Sequence, residues 1–393
     1  MKIFEILKNN KRLLTEAKAR IDHPEDLLFD EGVAGARRAI GALMHVPTNP
    51  LSTSVKWDGS PAIIFGRDEN GFVFTDKAGF SAKKYDGMAR GQHMFQDMIY
   101  NRKPDEPNRM DYATSLGKLY PMLEKLVPVN FKGYIQGDIM WMNTPVAHDG
   151  VISIKPLKVN YNINAVSDLG RKILKSHAGI VVHSMFDSRN DEEPAAIESV
   201  AALGLKNVTG LVVLSPEMRI TTPISLPTDQ IEAVEKLLLS KGTIVSKFLD
   251  PYTTGALKIS NLPEIFKSYL NNMAGRGDRD FKGAPQGFVD WVQSDASKLS
   301  PNKQANIMQH ITVNQPGYKA VWHIVNAIVN LKMALKLQLD SPQPFADKDG
   351  NIVDDPDHIS ADIRGERGHE GFVSSTPHGK IKLVDRPTFM RKV

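Results

Sequence analysis

The spacing of apolar residues changes twice along this chain, and that limits the folds open to it. From Ser52 to about residue 227 they come in short runs with strand character. From Thr228 to residue 345 they recur at helical spacing in longer segments, and after residue 346 the short runs return. Strand side chains alternate between two faces, whereas a helix repeats about every 3.6 residues, so no segment satisfies both patterns. The order predicts an α+β protein, a domain of antiparallel sheets with helices interrupted by a mostly helical insertion. The expected parts are an N-terminal helical segment over 1–45, a sheet domain over 46–227 and 346–393, and an insertion over 228–345.

Within that frame, AIIFGRDENGFVFTD holds two apolar runs around Asp68-Glu69-Asn70-Gly71, a hairpin signal. MDYATSLGKLYPMLEKLVP reads as a helix and FKGYIQGDIMWM as a strand with a polar break. VISIKPLKVNYNINAV, HAGIVVHSMFD and LVVLSPEM read as further strands. In the insertion, DQIEAVEKLLLSKGTIVSKFL, LPEIFKSYLNNMA and GYKAVWHIVNAIVNLKMALKLQLD read as helices. The last is apolar nearly all round, as a buried core helix is. EGFVSST and GKIKLVD are expected to return as strands and complete the first sheet.

The 393 residues exceed one ordinary core, so two or three domains are expected. No apolar stretch has the length of a membrane span. The N-terminal MKIFEILKNNKRLLTEAKAR scatters charge throughout and reads as an amphipathic helix, not a signal peptide. The absence of cysteine excludes disulfides, thiolate metal sites and thiol catalysis, and fits a cytoplasmic protein. The net charge of +4 is too mild to argue by itself for a nucleic-acid partner.

Four apolar segments carry charge where a core strand does not need it: Lys56-Trp57-Asp58-Gly59, Gln136-Gly137-Asp138, Glu370-Gly371-Phe372-Val373 and Lys380-Ile381-Lys382. Residues two apart share one face of a strand, so the first is read as a strand presenting Lys56 and Asp58 together. Taken singly, each has a plain reading. Lys380 and Lys382 suit a solvated edge strand, Glu370 a loop carboxylate, and Asp138 a turn or bulge residue.

Their order resembles the covalent nucleotidyltransferases, the ATP-dependent RNA and DNA ligases and mRNA capping enzymes. The KxDG motif of that superfamily stands here as Lys56 to Gly59. Its Gly-Glu strand end stands as Gly137-Asp138, its EGxV as Glu370 to Val373, and its KxK as Lys380 to Lys382. Residues 181–187, with His183, stand where a strand with base-stacking residues follows. The resemblance covers roughly 50–187 and 368–384 and leaves the helical block unexplained. The VKWDGSPA segment is also similar to one in proteins of large tailed phages. Such an origin would place the chain in a host cytoplasm.

The resemblance implies a ligase-type nucleotidyltransferase domain that uses ATP, with GTP not excluded, and Mg2+ or Mn2+. Lys56 would attack the α-phosphate and form a lysyl-nucleotide. Lys380 and Lys382 would hold that phosphate and lower the lysine pKa. Glu370 and Asp138 are the candidate metal ligands. Asp58, Gly59, Lys77, Asp138, His183 and Glu370 are the candidate nucleotide-binding residues. Ser54, Pro61 and Asp138 depart from the residues common in DNA ligases.

Only eleven residues follow Lys382, too few for an OB-fold, so RNA ligases are expected to be the nearer relatives. The implied partner is a nucleic acid with 5′-phosphate and 3′-hydroxyl ends, RNA before DNA. Other acceptors for the same intermediate are DNA, an RNA end to be guanylylated, or a protein side chain. A non-enzymatic alternative is a degenerate relative that binds nucleic acid or a phage partner. In the helical block, Lys247, Lys258, Lys267, Arg276, Arg279 and Lys282 could follow a phosphate backbone. Arg67 reads as a charge at the hairpin tip.

Overall fold

The chain enters its first hairpin from β1 (Thr53–Lys56), through β2 (Ala62–Asp68) and β3 (Gly71–Asp76). Asp68 pairs with Gly71, so only Glu69 and Asn70 form the loop, as the sequence predicts. Gly71 takes φ +109°, a conformation that a Cβ would disfavour. The Asn70 N–H donates back to the Asp68 carboxylate at 2.9 Å. This computed structural model describes residues 21–191, 194–197, 200–214, 218–278, 281–341, 345–346, 352–354, 359–363 and 366–390. Among them the contacts define two compact units. Unit 1 spans 55–219 and 342–369, and unit 2 spans 21–54, 220–341 and 370–390.

In unit 1, β2 is buried on both faces. Ile63 and Phe65 point into a core with Phe72, Phe74, Ile135 and Ile180, while Ile64 faces Val73, Phe80, Met88 and Tyr134. Period-two alternation therefore feeds two cores, which is why this hairpin reads as near-continuous apolar sequence. β4 (Gly133–Trp141) pairs antiparallel with β2 and with β8 (Ala178–Phe186). β10 (Leu211–Leu214) joins β8 in parallel at its first residues, and β9 (Ala195–Ala196) pairs antiparallel with its last ones. The order is β10-β8-β4-β2-β3.

A second sheet of this unit runs β15 (Glu366–Arg367), β14 (Ile359–Ile363), β7 (Asn160–Asn164), β6 (Val151–Ile154), β5 (Ala147–His148), all antiparallel. β11 (Arg219–Ile220) is short, and β12 (Phe345–Ala346) pairs antiparallel with β13 (Ile352–Asp354).

The helix expected over 110–128 is two helices, α4 (Arg109–Gly117) and α5 (Tyr120–Leu126). Pro121 has no N–H to give to the carbonyl of Gly117, and the break falls there. With α3 (Gln92–Asn101) they bury Phe95, Ile99, Leu116 and Leu123 on the sheet. The remaining helices of the unit are α2 (Lys77–Phe80) and α6 (Asp168–Ile173).

Unit 2 holds α1 (Leu27–Thr48), kinked at Gly32, then α7 (Thr228–Phe248), α8 (Pro251–Ala256) and α9 (Leu262–Gly275). α10 (Ala284–Val292), α11 (Pro301–Val313) and α12 (Gln315–Leu339) follow. Aromatic rings form the centre: Phe29 stacks on Phe266 at 4.8 Å, Phe266 on Phe288 at 4.6 Å, and Trp322 meets all three edge-on or tilted. α12 is buried through Trp322, Val325, Ile328, Leu331 and Leu335, in keeping with its all-round apolar sequence.

The closing strands are β16 (Gly371–Thr376) and β17 (Gly379–Val384), an antiparallel pair, followed by α13 (Arg386–Met390). Residues 370–390 and 21–54 group with the helices, whereas the sequence reading set 1–45 apart and placed 46–54 and 370–393 in the sheet domain. Thr53 Oγ1 donates to Ser374 at 3.0 Å, and Asp22 bridges to Ile381. Periodicity identifies element types, whereas these pairings join residues more than 300 positions apart. The first half of the expected N-terminal helix lies outside the described residues.

Candidate functional site

The strand that carries Lys56 stops at Lys56 and does not continue to Asp58. The reason lies in contacts from a segment about a hundred positions away. The Asp58 N–H donates to the Tyr161 hydroxyl at 2.6 Å, and its carboxylate accepts the Lys158 and Val159 N–H groups at 2.6 and 2.9 Å. Trp57 packs on the Tyr161 ring at 4.8 Å. Residues 57 and 58 are therefore held by the second sheet of unit 1 and do not alternate as a strand. Asp58 is 3% exposed, and its Oδ2 is engaged by backbone donors. Its place in the fold is that of an anchor for the turn after Lys56.

The chain then lies along β4. Ser60 N–H donates to the Ile139 carbonyl at 2.9 Å, and Ile139 N–H returns to Pro61 at 3.1 Å. A Cβ on Gly59 would sit 2.4 Å from the Cβ of Asp138 and 3.1 Å from the sulfur of Met140. Only glycine lets the turn approach Asp138 this closely. Asp138 also pairs with Ala62 on one side and Val181 on the other, so three segments meet around its side chain.

His183 reaches the same place through an irregularity of β8. Gly137 pairs with Val182 and Gln136 with Ser184, which leaves His183 as the extra residue of a bulge. Bulges re-aim side chains. Here the His183 Nε2 lies 3.6 Å from Asp138 Oδ2, and its Nδ1 lies 2.9 Å from the Ser184 hydroxyl. The pair is partly open, with side chains 34% and 21% exposed. Lys77 begins α2 directly after Asp76, which pairs with Ile63. It is exposed at the end of the sheet where Ala62 meets Asp138.

Unit 1 thus brings Asp58, Gly59, Asp138 and His183 together around the turn after Lys56, with Lys77 at the same sheet end. The other sequence candidates belong to unit 2. Glu370 is 6% exposed, just before β16. Along β17 the side chains alternate: Ile381 and Leu383 are fully buried, Lys380 is exposed and Lys382 half-buried. Lys382 pairs across with Val373 and Lys380 with Ser375, so both lysines share one face.

The described residues contain no group of three metal-ligating side chains. A magnesium ion carried by a triphosphate needs only one or two protein carboxylates, and partly exposed Asp138 fits that role. Glu370 is a more enclosed carboxylate.

Two other expectations change. Lys267 is buried and bonded to Asp30 at 2.7 Å and Glu264 at 2.5 Å, so it supports unit 2 and does not face a phosphate backbone. Arg67 is not a free tip charge: it donates to the carbonyls of Val127 and Glu124 at the end of α5. Lys247, Lys258, Arg276 and Lys282 are exposed, and Arg279 lies outside the described residues. Tyr161, which the sequence showed only as part of a strand, is the contact that local pattern could not reveal.

No helix among the described residues is long and apolar enough to cross a membrane. No curated protein and no solved structure matches the chain. The model of a family of unknown function, DUF6267, matches residues 19–392, and the chain belongs to that family.

Proposed function

We propose that the protein is a covalent nucleotidyltransferase that charges Lys56 with AMP, acting as an ATP-dependent polynucleotide ligase of RNA-ligase type. The observation that carries the reading is the turn after Lys56, fixed by Asp58 and closed by Gly59 against Asp138. A nucleophilic lysine benefits from a held backbone, and a partly open carboxylate can take the metal ion that travels with a triphosphate; this arrangement supplies both.

In the first step Lys56, having released a proton to solvent, attacks the α-phosphorus of ATP. An N–P bond forms, and the bond to the bridging oxygen breaks with departure of pyrophosphate. A magnesium or manganese ion bound with the triphosphate would offset the leaving-group charge, and Asp138 is the unit 1 residue suited to hold it. A 5′-phosphate oxygen then takes the AMP, the N–P bond breaks and the amine regains a proton. Last, a 3′-hydroxyl attacks the activated phosphate, loses its proton, and AMP leaves. The resemblance gives Lys380 and Lys382 the α-phosphate and Glu370 a second metal contact.

The test is transfer of label. Protein freed of bound AMP is incubated with α-labelled ATP, or GTP, and a divalent ion, then denatured. Label on the wild type and none on Lys56→Ala is expected, with reduced label on Lys380→Ala and Lys382→Ala. Equal label on Lys56→Ala, or none on any protein, rejects the reading and leaves a non-catalytic binding protein. With label present, RNA, DNA and protein acceptors are compared for its release.

A further inference from the structure

A cavity of about 300 Å³ lies within unit 2, among α9, α12 and the start of α13. None of the residues around Lys56 lines it. Its walls are mostly apolar, with Leu270 and Met273 from α9 and Val329 and Met333 from α12. Polar side chains interrupt them, among them Glu25, Asn326, Asn330 and Arg386. Arg386 is 6% exposed and its Nη1 has no hydrogen-bond partner; Glu25 is 1% exposed and its Oε2 has none. Asn326 and Asn330 stand one turn apart on α12, and neither amide is bonded to another described residue.

Buried polar atoms without partners are costly, so several around one cavity call for an occupant that supplies both donors and acceptors. Charge narrows its nature. Glu25 bonds Lys332 at 2.6 Å and Asp26 bonds Arg386, so two carboxylates offset two cations. An anionic ligand would lose its water without gaining a net positive charge, so the cavity suits a group that carries no negative charge. The partly buried Asp278 and Asp385 also line the cavity and disfavour a phosphate inside it. Thioethers from two helices suit the faces of an aromatic ring. An asparagine amide, with donor and acceptor side by side, matches the N6 and N7 edge of adenine.

We infer that this cavity binds a purine base, adenine in preference, through Asn326 and Asn330, with Glu25 and Arg386 completing its edge. The base could belong to a free nucleoside or to an unpaired nucleotide of a strand; the chemistry recognised is the same. The volume is at the lower end of small-molecule pockets and suits a base or nucleoside, not a larger cofactor.

The test is calorimetric titration of the full-length protein with adenosine, with cytidine as control. Adenosine should bind and cytidine should not. Asn326→Leu and Asn330→Leu should each weaken adenosine about tenfold or more, the loss of one good amide–base contact. Asn330 is exposed, so its variant keeps the measurement valid if Asn326→Leu is unstable. Both leucine variants should still take label from α-labelled ATP as the wild type does, which separates this site from the proposed nucleotide site.

No heat with adenosine, or equal affinity in both leucine variants, overturns the proposal and leaves water as the occupant. An oligothymidylate bearing one adenosine distinguishes the sources. Tighter binding than free adenosine indicates a strand, and weaker binding indicates the nucleoside.

Discussion

Asp58 and Asp138 flank the same glycine, but the fold uses them differently. Asp58 is enclosed and accepts two backbone N–H groups, whereas Asp138 is partly open and has His183 beside it. Removing Asp58 leaves one buried and one part-buried donor without an acceptor. Asp58→Ala should therefore cost about 2–4 kcal/mol, taking about 1–3 kcal/mol for each orphaned group with some relaxation. Gly59→Ala should also destabilise, by about 1–3 kcal/mol, because its methyl meets the Cβ of Asp138. Asp138→Ala should change urea stability by no more than about 0.5 kcal/mol while lowering lysine charging. Urea unfolding of the three variants, beside the labelling assay, checks this. Asp138→Ala unfolding as readily as Asp58→Ala would reject the division of roles. The residues of this turn were legible in the sequence, but their geometry was not. The hydroxyl that ends the strand comes from Tyr161, on a distant strand, and a local alternation pattern carries no trace of it.

Among the elements, the β2–β3 hairpin is the part the sequence states most openly, since turn chemistry and alternation agree there. Its less visible support is a polar contact at the loop end. Asp68 accepts both terminal nitrogens of Arg90, at 2.8 and 2.7 Å, and the Tyr134 hydroxyl at 2.9 Å. The bond from Arg90 holds the Asp68 carboxyl below its ordinary value of 3.8. Burial first, and then donation to Asp68, pushes the Tyr134 phenol up to about 12. A depressed acid stabilises the fold above its unfolded pKa and loses that contribution as pH falls through the folded value. A raised phenol does the reverse: its contribution is complete below pH 10.0 and fades as pH rises through about 12. Asp68→Asn should cost about 1.5–3 kcal/mol near neutral pH, and the deficit should shrink in acid below 3.8. Urea midpoints of both proteins from about pH 7 to about pH 2 decide it. A deficit that stays constant in acid would mean the carboxylate charge contributes nothing. None of this network was legible. Arg90 and Tyr134 stand far from the hairpin in sequence, just as Pro121 splits a helix whose apolar pattern runs on unbroken.

At the scale of the molecule, the separation of partners in sequence becomes a constraint on folding. Unit 2 gathers three separate stretches of chain, and each contributes to one buried ion cluster: Glu25 and Asp26, then Lys332, then Arg386. Burial lowers the Lys332 pKa and raises that of Asp26, so the charged forms are favoured only while all four partners are present. The sequence displayed Glu25 and Asp26 merely as acids at a helix start. Their cations lie more than 300 residues further on. Unit 2 therefore cannot complete its core until the end of the chain is available, whatever the first stretches do alone. Arg386→Met in the full chain should lower stability by about 3–5 kcal/mol, the cost of leaving a buried carboxylate without its guanidinium. A chain ending at His369 lacks β16, β17 and Arg386 together and should lose the cooperative unfolding of the helical signal altogether. Circular dichroism through a urea series distinguishes the cases. If the shortened chain unfolds with the wild-type midpoint, the ion cluster is not what closes unit 2, and α1, α7 and α12 hold through their aromatic core alone.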